Sequence, residues 1–169
     1  MLTALRHGLS ILLLPFLVVV GVPYWLLTAL AASDTRWSDN SLITWLSRAV
    51  GAVVILLGLA LFSWCVSLFA RVGRGTLAPW DPTRNLVGIG PYRYVRNPMI
   101  SGVVLMLIGQ AVFQGSWVLA LWVCLFIFVN HIYFVLSEEP GLERRFKEQY
   151  RVYKENVPRW IPRIKPWQG

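Results

Sequence analysis

The sequence predicts an all-α integral membrane protein: one domain with about four transmembrane helices, including a C-terminal helical hairpin, plus a cytoplasmic loop and an amphipathic tail helix. Three observations carry this. Charged residues make up 14% of the 169, against roughly 25% in an average soluble domain. His7–Ser33, Ala49–Ala70 and Asn97–Ser137 hold no Asp, Glu, Lys or Arg over 27, 22 and 41 residues, and a spanning helix needs about 20 apolar residues. The Lys and Arg residues gather in alternate connections. Such a composition excludes a disordered chain, a nucleic-acid module and a typical cytosolic enzyme. The net charge of +8 then serves topology and contact with anionic headgroups.

The first span is expected at about 9–32. Arg6, the apolar run and Ala29-Leu30-Ala31 resemble a signal peptide, but the run exceeds an h-region of ~7–15 residues, so an uncleaved helix is expected. Pro15 and Pro23 inside it predict a kink, tolerated where neighbouring helices satisfy the freed backbone groups. The second span is expected at about 49–70. The third charge-free stretch is twice a span and breaks at Gly115-Ser116, which predicts a hairpin of 99–114 and 117–136. Its first limb is short for a full crossing.

With four spans, the N-terminus, the 71–98 loop and the 137–169 tail share a side and hold 14 of the 16 basic residues. The positive-inside rule places both termini, and any site built from loop and tail, in the cytoplasm. Cys65 and Cys124 lie in apolar stretches and His7 and His131 are the only histidines, so neither a disulfide framework nor a metal site is expected. Tyr24, Trp25, Trp37, Trp45 and Trp117 near the span ends read as interface anchors.

The loop, RVGRGTLAPWDPTRNLVGIGPYRYVRNP, has four glycines and four prolines and cannot be one helix. Trp80, Tyr92 and Tyr94 alternate with Arg84, Arg93 and Arg96; a disordered tail would be poor in aromatics, so an ordered loop on the membrane face is expected. Gly88-Ile89-Gly90 permits close backbone approach to a ligand or a turn before Pro91. It is no dinucleotide fingerprint, since Arg93 stands at the third glycine position.

In the tail, Leu142, Phe146, Tyr150, Tyr153 and Val157 form one stripe of an amphipathic helix. Glu143–Lys147 and Arg151–Glu155 are spaced to pair at i, i+4, and Val157-Pro158 ends the helix. Glu138-Glu139 stand at the end of the last span. Two readings are open: acids favouring a new helix begun by Pro140, or a site. His131, seven residues earlier, could share a helix face with Glu138. Asn130 and His131 read better as interfacial groups bonded to neighbouring helices.

GPYRYVRNPMISG (Gly90–Gly102) and EEPGLERRFKEQYRVYKENVPRWIP (Glu138–Pro162) resemble the two signatures of the isoprenylcysteine carboxyl methyltransferase family, related to the membrane phospholipid N-methyltransferases. The resemblance implies S-adenosylmethionine as cofactor, in a pocket roofed by loop and tail. Tyr92, Asn97, Pro98 and Glu138 match cofactor-contacting positions, and Gly88, Gly90, Glu138 and Glu139 match the paired G-x-G and E-E motifs of the phospholipid enzymes. Arg93 or Arg96 would act catalytically by clamping the cofactor's carboxylate or an acidic substrate. Asn97 replaces the family's His and Ile100 its Tyr; an Asn donates a hydrogen bond but is no acid or base near neutral pH.

The function expected is methyl transfer to a lipophilic acceptor (an isoprenylcysteine-like carboxylate, a lipid, or a small hydrophobic thiol or amine) entering from the bilayer, with membrane lipids as partners, and without metal or nucleic acid. The alternatives are a reductase on a related scaffold, which would need a nicotinamide cofactor, and a non-enzymatic lipid-binding protein.

Overall fold

The computed structural model describes residues 13–34, 37, 40–68, 71 and 86–168. They are mostly helical, with no strand among the described residues. Helix α1 is Leu13–Ala29, α2 Ser41–Leu68, α3 Pro98–Gln114, α4 Trp117–Tyr133 and α5 Glu139–Asn156. A 3₁₀ turn, Gly90–Arg93, precedes α3. The most apolar stretches of α2 and of the continuous α4–α5 rod are only 22% and 17% buried. A core helix of a soluble protein would be covered, so this is a membrane protein.

The chain divides into two compact units, Met1–Ala60 with Gly102–Ile127, and Leu61–Ser101 with Phe128–Gly169. In the first unit α1 is widened into a π turn at Leu17–Gly21, where the Val22 N–H bonds the Leu17 carbonyl five residues back. Pro23 follows two residues later and is the cause: it has no N–H, and its ring crowds the preceding turn. The carbonyls it would have served, in a π or an α register, are Val18 and Val19. They accept instead from the Trp122 indole N–H at 3.4 Å and the Gln110 amide at 2.8 Å. This is the side-chain rescue expected for a proline-kinked membrane helix.

Helix α2 starts eight residues before the expected 49. The absence of charge marks what can enter hydrocarbon, whereas the helix starts where Asn40 Oδ1 accepts the Leu42 N–H at 2.9 Å, an N-cap. Helix α2 packs on α3 through glycines. A Cβ on Gly58 would stand 2.7 Å from the Gly102 carbonyl oxygen and 2.8 Å from the Met106 nitrogen; one on Gly51 would stand 2.6 Å from the Gly109 oxygen. Close backbone approach of this kind replaces the hydrophobic driving force that helices lack inside lipid. Gly58→Ala is therefore expected to destabilise the protein by about 1–3 kcal/mol through overpacking. Gly141→Ala, where a Cβ meets nothing within 4 Å, should be neutral or slightly stabilising, because alanine favours a helix. Thermal melts in detergent compare the two, and equal melting points would refute the close-packing argument.

The hairpin turns at Gly115-Ser116 as expected. Gly115 has φ 65°, the left-handed conformation that ends α3. Ser116 caps α4, its Oγ accepting the Leu119 N–H at 3.1 Å. The Ser116 hydroxyl donates to Asp34 Oδ2 at 2.6 Å, and the Val118 N–H donates to Asp34 Oδ1 at 3.2 Å. Asp34 thus ties the segment after α1 to the N-terminus of α4, where negative charge is favoured.

Candidate active site

The second unit joins the end of the loop to the tail. The sequence itself brings this about: Pro91 and Pro98 break the chain into a 3₁₀ turn and a helix start, leaving the 93–96 backbone free to bond elsewhere. The tail supplies the partners. Arg96 N–H donates to the Pro158 carbonyl, Arg163 N–H to Tyr94 and Trp167 N–H to Arg93, each at 2.9 Å. The Tyr153 hydroxyl donates to the Tyr92 carbonyl at 2.7 Å. Tyr150, Tyr153 and Val157 form a buried cluster, with Leu142, Phe146, Leu86 and Trp167 packed against it. The apolar stripe of the tail is thus an internal face.

The two adjacent glutamates have separate surroundings. Glu139 is 6% exposed and meets three cations: Arg96 Nη1 at 2.9 Å, Arg159 Nε at 2.6 Å and Lys154 Nζ at 3.5 Å. Burial pushes its carboxyl up, but the Arg159 hydrogen bond and the three cations outweigh this and hold it below its ordinary value. Glu138 is half-buried and has no ion pair or hydrogen bond among the described residues. Burial, with the Glu139 charge adding, pushes its carboxyl up to about 7.

Neither acid caps a new helix. Helix α4 runs through a second π turn, Phe134–Glu138, into α5 without a break, and no side chain caps the start of α5. The cause is again a proline two residues on, Pro140. This corrects the reading of Pro140 as a helix start. It also removes the simple seven-residue relation of His131 to Glu138, since a widened turn lies between them. His131 Nδ1 accepts the Trp160 indole N–H at 3.2 Å, an interfacial bond to the tail.

The expected Glu143–Lys147 pair is replaced. Lys147 leaves the helical conformation (φ 47°, ψ −122°), and the kink brings Arg151 to Glu143 at 2.9 Å across eight residues. Arg151 pairs with Glu148 at 3.8 Å where Glu155 was expected.

The remaining candidates are placed as follows. Gly90 has φ 58°, and a Cβ there would also stand 3.0 Å from Leu68 Cδ1; at Gly88 it would reach only 3.6 Å from the Trp167 ring. Glycine is thus required by packing and conformation at Gly90, while Gly88 has room for a side chain. Tyr92 is buried, and burial, then the nearby Cys65 thiol, raise its hydroxyl pKa. Asn97 is half-buried; its carbonyl accepts from Ser101 at the start of α3, and its side-chain amide has no partner among the described residues. Pro98, fully buried, opens α3. Arg93 Nε donates to the Trp167 carbonyl, so Arg93 holds the tail as Arg96 holds Glu139. Trp80 and Arg84 lie outside the described residues, as does half of the 71–98 loop expected to cover the membrane face.

Three side chains of this junction escaped the sequence reading: Arg159, Lys154 and the Tyr153 hydroxyl. Arg159 and Lys154 counted only toward topology. The available signal was position, two basic residues on either side of Val157 at the end of an amphipathic stripe, which local spacing does not connect to an acid 15 or 20 residues away. Surface concavities lie near Trp37, Arg48 and Phe113 and around Lys147, and neither is lined by a candidate cofactor-binding or catalytic residue.

Fold and junction together define an all-α membrane protein whose buried ionic groups gather where a proline-rich loop meets the tail of the last long helix. The chain belongs to the phospholipid methyltransferase family, which matches residues 46–149. That segment takes in the loop, the hairpin and both glutamates. A stretch of 63 residues, 37% of this chain, is 33% identical to the whole length of an uncharacterized protein from Haemophilus influenzae.

Proposed function

We propose that the protein transfers a methyl group from S-adenosylmethionine to a lipid-like acceptor at the loop–tail junction, on the cytoplasmic face of the membrane. The observation that carries this is the unequal acid pair. Glu139 is saturated by three cations, whereas Glu138 beside it is a half-buried carboxyl with nothing among the described residues to bond. A carboxyl in that state suits a hydrogen-bonding ligand, and perturbed, unpaired groups concentrate at functional sites. The Asn97 amide, also without a partner, supplies a donor.

In this reading Glu138 and Asn97 hold the cofactor, Glu138 accepting from its hydroxyl or amino groups. Gly88, Gly90, Tyr92 and Pro98 shape the backbone around it, and Glu139 fixes the helix end through Arg96 and Arg159. The cofactor, when bound, supplies a methyl group already activated on a sulfonium. What remains for the protein is to align the acceptor and exclude water, so proximity and orientation carry much of the rate. The Arg93 Nη groups, beyond its bond to Trp167, are available to an acidic group of acceptor or cofactor. The family's description favours a phospholipid as the acceptor class.

Calorimetric titration of detergent-purified protein tests the cofactor. S-adenosylmethionine or its demethylated product should bind, and reduced nicotinamide dinucleotide should not. Asn97→His should retain binding, and Asn97→Leu should weaken it about 5–150-fold, the equivalent of roughly 1–3 kcal/mol for a lost buried hydrogen bond. No binding by a well-folded wild type would overturn the methyl-transfer reading. Label transfer from the cofactor into lipid extracts would then identify the acceptor.

Orientation is tested separately. Reporter fusions after Trp37, Trp80, Ser116 and Gly169 should read outside, inside, outside and inside, following the bias in Lys and Arg. An outside signal at Gly169 would place the junction on the other face.

A further inference from the structure

The segment after α5, Trp160-Ile-Pro-Arg-Ile-Lys-Pro-Trp167, faces two ways. Its two tryptophans point inward: the Trp160 ring lies 5.6 Å from that of Phe134, and the Trp167 ring 5.4 Å from that of Tyr153. Its two isoleucines point outward, Ile161 79% and Ile164 98% exposed. Two bare isoleucines on a segment pinned by backbone hydrogen bonds need an occupant.

The depth of the segment identifies it. Trp160 bonds to His131 and packs on Phe134, both of which precede the acidic pair on the apolar rod. Seven residues from Glu138 back to His131 span roughly 10 Å of helix axis. Trp160 therefore lies below the level of the glutamates, at the height along the rod of the exposed Ile132, Tyr133, Val135 and Leu136, the apolar band of a membrane helix. The chain has left α5, returned toward the hydrocarbon and presented Ile161 there. Arg163 and Lys165 flank Ile164, placing cations where lipid phosphates lie.

We infer that residues 160–165 form a re-entrant lipid anchor, with Ile161 and Ile164 seated at the acyl–headgroup boundary of the surrounding bilayer. Arg159, next in sequence to Trp160, holds Glu139, so the anchor joins the lipid surface to the ionic cluster of the junction. The inference needs only the membrane character of the protein, and it stands or falls independently of methyl transfer.

Nitroxide labelling of the full chain tests it, in nanodiscs of phosphatidylcholine and phosphatidylglycerol. The background is Cys124→Ala, with buried Cys65 left in place. Ile164→Cys is compared with Leu136→Cys, a lipid-facing reference 74% exposed, and with Glu148→Cys, a water-facing reference whose native side chain is 78% exposed. Collision with oxygen relative to a water-soluble nickel chelate should be several-fold higher for Ile164→Cys than for Glu148→Cys, and close to Leu136→Cys. A ratio equal to that of Glu148→Cys would overturn the anchor. Protection from both reagents would overturn it too, and would mean that protein covers the isoleucines. Ile164 touches so little that the substitution should not disturb folding.

Discussion

Glu139→Gln is expected to destabilise the protein by about 3–5 kcal/mol, the cost of breaking a buried ion pair by removing one partner. The amide leaves Arg96, 11% exposed, and Arg159 charged and unpaired. Arg96 is already under-satisfied, since its buried Nε has no hydrogen-bond partner. Arg159 lies between the end of α5 and the strap bonded to residues 93–96, so loop and tail should separate together. The pH dependence has a definite sign. A carboxyl held below its ordinary value contributes stability above its unfolded pKa of 4.5, and that contribution is lost as pH falls through the depressed folded value. Melting curves in detergent should therefore differ strongly between mutant and wild type at neutral pH, and the difference should shrink progressively as the pH is lowered below 4.5 through the depressed folded value. Wild-type stability in Glu139→Gln at neutral pH would remove the cluster from the account of the fold.

Glu138→Gln should act in the opposite direction. Its carboxyl is raised from 4.5 to about 7, so the folded protein holds a proton that the unfolded chain releases in between. Stability should fall as pH rises from about 4.5 through 7, with the full cost present above 7. At 1.36 kcal/mol per pKa unit that cost is roughly 3 kcal/mol. Removing the charge should raise the melting point at pH 8.5 and change it little at pH 4.5. The same mutant should bind the proposed cofactor more weakly by roughly 1.5–3 kcal/mol, as for a lost hydrogen bond to a charged group. A gain in stability with a loss of binding is the signature of a residue kept for a ligand. Unchanged binding would remove Glu138 from the site, and an unchanged melting point at pH 8.5 would show that water reaches its carboxylate.

Much of the architecture was legible in the sequence because it is local. Charge-free runs, the Gly115-Ser116 break, the irregular helix ahead of Pro23 and the tail stripe all follow from neighbours a few residues apart. The family signatures marked the segments that meet. What spacing could not resolve was the difference between two adjacent glutamates. Glu139 finds Arg96 at a separation of 43 residues and Arg159 at 20, while Glu138, one position earlier, points where neither reaches. The bond of Asp34 to Ser116 crosses 82 residues and was hidden for the same reason. Helix α2 begins ahead of the expected span because charge reports solubility in lipid, whereas an Asn40 cap sets where the helix begins. The tail's ion pairs were misassigned because the reading assumed an unbroken helix through Lys147.

The two π turns make the angular setting of each rod depend on a proline. An α-helix advances 100° per residue, and a turn that closes over five residues where four would do delays everything after it by about one such step. Counting from Trp117, the acids at the end of the rod occupy an azimuth that an uninterrupted helix would have given to their predecessors. Deleting one residue between Phe134 and Glu138 would restore the ordinary phase and swing Glu139 away from Arg96 and Arg159. Alignments of related chains should therefore show no gap in the rod, with the distance from the last apolar turn to Pro140 held fixed.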